Sequence, residues 1–153
     1  MTVIDSKKLS AIEYFVKHTH NCRKTKLFKL LYFLDFVHFK KHGISVTGYD
    51  YIAMPLGPVP VELYNQITAE ELPEDFKGAL SITEEKDDDG VSRGFKIQLK
   101  KSAQIDLDWF SPNERNILEQ VADIFKYATA KEMSEITHLK NSPWDTTKKL
   151  PMV

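Results

Sequence analysis

From Leu27 to Phe39 the chain is almost continuously apolar, and only Lys29, Asp35 and His38 interrupt it as strongly polar residues. A helix built from this run has no wide solvent face and must be packed nearly all round. A chain of 153 residues has room for about one such helix. Everything else has to be arranged about it. The helix is expected from about Thr25 to Lys41, stopped by Gly43, with Lys40, Lys41 and His42 near its negative end.

Before it, Leu9, Ile12, Tyr14, Phe15 and Val16 fit an amphipathic first helix from about Ser6 to His18, with Asp5 or Ser6 as cap. After it, Tyr49, Tyr51 and Ala53 alternate with Asp50, Ile52 and Met54 as a short strand. Pro55, Pro58 and Pro60 lack backbone N–H groups, so the segment is expected to leave the sheet there, with Pro60 opening a third helix striped by Val61, Tyr64 and Ile67.

Beyond the polar stretch Glu70 to Asp75, the alternation of Leu80 and Ile82, and then of Phe95, Ile97 and Leu99, reads as a β-hairpin whose tip is Asp87-Asp88-Asp89-Gly90. That acidic tip lacks the ligand spacing and closing Glu of an EF-hand loop, so it reads as a solvated turn. Ser111-Pro112-Asn113-Glu114 is a capping box that starts a helix carrying Ile117, Leu118, Val121, Ile124, Phe125 and Ala128. Thr129 and Glu132 repeat the pattern for a last helix. The expected fold is α+β, a predominantly helical single domain of about five helices with a small antiparallel sheet or hairpin. It should span residues 1–147, with 148–153 as a frayed tail.

No stretch approaches the roughly 20 apolar residues that cross a bilayer, and no export signal opens the chain. With one cysteine, Cys22, a cytoplasmic location is expected. Residues 1–45 carry nine Lys or Arg against three acids, and the remainder twelve against nineteen. This asymmetry suits a complementary protein partner better than nucleic acid, which usually calls for a stronger overall basic bias. Arg23, Lys24 and Lys26 on the basic side, and Asp87, Asp88 and Asp89 on the acidic side, are the candidate partner surface.

Enzymatic chemistry finds little footing. His18, His20 and Cys22 alternate, and His38 and His42 lie one helical turn apart, but neither cluster supplies the four ligands of a structural zinc site. Cys22 beside Arg23, Lys24 and Lys26 is the one thiol whose pKa could be depressed. No nucleophile elbow, Walker loop or dinucleotide fingerprint is present, so neither cofactor nor metal nor catalytic residue is assigned. Asp35 is the polar residue of most interest. Buried in an apolar helix it needs a partner, either His138 or a tyrosine hydroxyl, in a structural lock.

Several segments, taken in order, carry a family likeness: Lys29-Leu30-Leu31-Tyr32-Phe33-Leu34-Asp35, Thr47-Gly48 with Tyr51, Gly57-Pro58-Val59-Pro60, Thr137-His138, and Ser142-Pro143-Trp144. The set resembles the SocA-like antitoxin domain, also called the Panacea domain and frequent in phage-associated proteins. The resemblance implies a non-enzymatic antitoxin that binds and neutralises a cognate protein toxin encoded beside it. A further role as adaptor to a ClpXP-type protease, and a homo-oligomeric state, are open under the same resemblance. A phage-associated regulator that binds nucleic acid through the basic N-terminal part is the alternative function. Tyr32, Asp35, Tyr51, Gly57, Pro58, His138 and Trp144 match the family pattern, and most of them are expected to be architectural.

Overall fold

The structure, a computed structural model, describes residues 1–137 and 149–150. Helix α1 (Val3–His18) leads through a short turn into α2 (Lys24–His42). A hairpin of β1 (Tyr51–Met54) and β2 (Gly57–Pro60) runs directly into α3 (Val61–Thr68) and then α4 (Glu74–Ala79). A second hairpin, β3 (Leu80–Lys86) and β4 (Ser92–Leu99), precedes a 3-10 turn at Leu107–Trp109 and helices α5 (Pro112–Ile124) and α6 (Ala130–Thr137). Six helices among the described residues and two antiparallel sheets make an α+β fold that is mostly helical.

As its apolar run requires, α2 is the centre. Leu27, Phe28, Leu30, Leu31, Tyr32 and Leu34 are buried, and so are the polar Lys26, Lys29, Asp35 and His38. Its end is set by Gly43, whose φ of 76° is open to glycine at little cost, and whose N–H bonds to Phe39. Helix α1 begins earlier than its apolar stripe suggests, because Thr2 and Asp5 form a capping box. Leu9, Ala11, Ile12 and Phe15 are its buried residues against the core. On α5 the Ser111–Glu114 box forms as expected, with Glu114 also accepting from Lys7 at 2.8 Å. Ile117, Leu118 and Val121 turn inward, whereas Ile124 is 71% exposed.

The proline segment departs from expectation. Gly57–Pro60 does not leave the sheet; it is itself a strand, pairing Gly57 with Met54, Pro58 with Ala53, Val59 with Ile52 and Pro60 with Tyr51. The Val61 N–H donates to Asp50 O at 3.0 Å, which fixes the alternation. Positions 57, 59 and 61 are therefore the hydrogen-bonded ones, and Pro58 and Pro60 occupy the alternate positions whose nitrogens face away from β1. Prolines are compatible with this strand because the register never asks them to donate.

Two further differences stand out. The end of the polar stretch Glu70 to Asp75 opens a helix, α4, which buries Phe76 and Ala79. Lys149 and Leu150, in the tail expected to fray, form β5 and pair antiparallel with Ile52 and Tyr51.

Candidate functional site

Asp35 lies on the buried face of α2 with 0% exposure, and it is the most heavily bonded side chain there. Its Oδ1 accepts the backbone N–H groups of Val46 and Thr47, each at 2.8 Å. Its Oδ2 accepts the Thr47 hydroxyl and the Tyr51 hydroxyl, both at 2.5 Å. The Thr47 hydroxyl in turn accepts the Tyr49 N–H at 3.2 Å. One turn further along, His38 Nδ1 meets Ile44 O at 2.6 Å. Two polar side chains of α2 thus hold the loop that delivers Tyr51 into β1.

Burial raises the Asp35 carboxyl above its ordinary range, against the opposing pull of its bonds from Thr47, Tyr51 and Val46. The Tyr51 phenol is raised well above the ordinary value, by burial and by the neighbouring carboxylate. Both side chains are buried, Asp35 at 0% and Tyr51 at 2% exposure. Of the two partners weighed from sequence for Asp35, the tyrosine hydroxyl is present, and the carboxylate holds the 45–51 loop. His138 and Trp144 lie outside the described residues.

Of the other described family-pattern positions, Tyr32 packs beside this lock, and Gly57 and Pro58 lie in β2. Tyr32 stacks on Phe36 with ring centroids 5.6 Å apart and meets the Tyr51 ring edge-on at 5.7 Å. Gly57, at a φ of 128°, follows the Pro55–Leu56 turn, and Pro58 is buried in β2.

Much of the charge assigned to a partner surface is engaged within the fold. Arg23 reaches Glu85 on β3 at 2.7 Å. Lys24 sits over the rings of Phe95 and Tyr64, with its Nζ 4.7 and 5.5 Å from their centroids. Lys26 is buried, and its amine donates to His20 O and Lys126 O at 2.9 and 3.1 Å. On the acidic side, Asp87 accepts from the N–H groups of Asp89 and Val91, each at 2.9 Å, and pairs with Arg93 at 3.2 Å. Asp88 and Asp89 are the tip residues left exposed. Cys22 also corrects its expectation: it is buried, and desolvation pushes its thiol up to about 11 in spite of Lys26.

Sequence reasoning gave no prominence to a cleft of about 260 Å³ between the start of α2, the β1–β2 turn and α3. Its walls include Phe28, Met54, Leu56, Val59 and Tyr64, together with Lys24 and Lys29. Lys29 is 2% exposed and its amine donates to Leu56 O, a carbonyl that also accepts the Ser134 hydroxyl at 2.8 Å. Burial lowers this amine to about 8. A lysine inside an apolar helical run was the available signal.

The family model described as "Antitoxin SocA-like, Panacea domain" matches residues 27–145. The chain belongs to this family. No curated protein and no solved structure matches it. The matched span of the Panacea domain begins inside α2 and takes in the Asp35 lock, both hairpins and α3 to α6. First helix α1 lies outside the match, although its Leu9, Ile12 and Phe15 belong to the same core.

Proposed function

We propose that this chain is a non-enzymatic antitoxin that neutralises the toxin encoded by the adjoining gene through direct protein–protein contact, by occlusion or conformational trapping. The observation that carries this reading is the family match over residues 27–145. The geometry supports binding over chemistry. Asp35 and Tyr51, a buried polar pair, spend their hydrogen bonds on the chain's own loop.

The partner surface is drawn from side chains that the fold leaves exposed. Asp88 and Asp89 mark the hairpin tip, and Ile124 and Tyr127 stand 71% and 75% exposed near the end of α5. A few buried anchors with complementary charge around them suffice for a tight complex. A phosphate-reading face is the weaker use of the basic residues, because Arg23 and Lys26 already have internal partners.

The test is expression of the adjoining gene product alone and with this chain. Growth arrest, its rescue, and recovery of both proteins as one complex are the expected results. A harmless neighbour, or rescue without a complex, overturns the reading. Salt-sensitive binding to the promoter would instead favour a nucleic-acid regulator. Rescue that fails in a host lacking ClpX would add the protease-adaptor role.

A further inference from the structure

Lys29 is a cation that the fold buries with no anionic partner among the described residues. Among the described residues its amine meets the Leu56 carbonyl and makes no salt bridge to any carboxylate. An ammonium has three donors, and burying one without a counter-charge is costly. Holding the β1–β2 turn does not require this charge, because the Ser134 hydroxyl donates to the same carbonyl. A methionine or leucine at 29 would fill the same helix face at less cost.

The place where the amine emerges gives it a use. Lys29 and Leu56 both line the cleft, whose other described lining residues are apolar except for Lys24, Thr25 and Tyr64, with no Asp or Glu among them. Lys24 and Tyr64 are the other titratable groups on the wall, and Glu84 is the acid that acts on Lys24. At about 260 Å³ the cleft falls just below the size that takes a drug-sized ligand or cofactor, and it fits one or two side chains. Charge complementarity then selects among them.

We propose that this cleft anchors an acidic–apolar segment of the toxin, with an apolar side chain against Phe28, Val59 and Tyr64 and an adjacent Asp or Glu carboxylate on the Lys29 amine. The inference rests on the antitoxin reading and adds the chemistry of the partner. On docking, the carboxylate takes up donors that the Leu56 carbonyl leaves unused, while Ser134 keeps the turn in place. Such a desolvated, charge-assisted contact is a hot-spot interaction.

A first experiment needs no toxin. The peptide acetyl-Leu-Glu-Leu-amide, at millimolar concentration, should shift the Met54 methyl and Lys29 Cε resonances of the labelled protein and move the Lys29 titration upward. Its Gln counterpart should do neither. Absence of a Glu-specific shift overturns the proposal whatever the toxin result. In the second experiment, Lys29→Met and Lys29→Gln, checked for folding by thermal melts, are titrated with the adjoining gene product. A loss of about tenfold to a hundredfold in affinity is expected, the equivalent of one charged hydrogen bond. Wild-type binding should also weaken as pH rises through about 8, where the free amine sheds its proton. Full affinity in both variants sinks the cleft and leaves the antitoxin reading standing; failure of the wild type to bind sinks that reading instead.

Discussion

Replacing Asp35 with Asn tests the lock between α2 and the 45–51 loop. The carboxylate accepts four bonds, two from backbone N–H groups and two from hydroxyls. An amide turned to keep its oxygen on Val46 and Thr47 presents NH2 to the hydroxyls of Thr47 and Tyr51. The Thr47 oxygen already accepts the Tyr49 N–H, so it is poorly placed to accept again. Two bonds to a charged acceptor, each worth about 1.5–3 kcal/mol, are lost. Relief from burying a charge, and new bonds from the NH2 group, return part of that. The net loss expected is about 2–4 kcal/mol, a large share of the roughly 5–15 kcal/mol that holds a domain together. Urea titration followed by far-UV circular dichroism measures it. A double-mutant cycle with Tyr51→Phe should give a coupling of about 1–2 kcal/mol. A loss under about 0.5 kcal/mol, or simple additivity, would refute the lock. A folded Asp35→Asn protein that lost binding to an adjoining gene product bound by the wild type would move Asp35 from the scaffold into the interface.

Other outcomes follow from buried groups. Glu13 is 3% exposed, and desolvation raises its carboxyl to about 7. The native state then holds this proton more tightly than the unfolded chain, so stability falls as pH rises from about 4.3 and levels off above about 7. Glu13→Gln should accordingly stabilise by about 1–3 kcal/mol at pH 8 and lose most of that gain by pH 5, as read from thermal melts at both values. Cys22 should resist iodoacetamide at pH 8 in the native protein and react in urea; rapid native alkylation would contradict its burial. Lys26→Met removes the amine that ties His20 O to Lys126 O, and about 1–3 kcal/mol of stability should go with it in urea titrations.

What could be read from sequence was whatever rests on local chemistry. The Ser111–Glu114 and Thr129–Glu132 boxes, the Gly43 stop and the 80–99 hairpin each follow from neighbours in the chain. The all-round burial of α2 follows from composition alone. What was missed depends on register or on distance. Pro58 and Pro60 look like breakers until the pairing with β1 shows that their nitrogens face outward. Arg23 and Glu85 lie 62 residues apart, so their ion pair has no local signature. The Asp35 lock was half legible: an isolated acid in an apolar helix needed partners, but the two backbone donors from the 46–47 loop could not be foreseen. Helix α4 is only six residues long, and its charged sequence offers little apolar pattern beyond Phe76.

The register of β2 gives this small sheet a one-sided outer edge. With Pro58 and Pro60 in the outward positions, that buried edge has no N–H group to donate at either residue. An extended segment would find no donors at those positions and could not continue the ladder there. Strand β2 therefore cannot template a further strand on that side, and a segment lying against it has to be held by side chains.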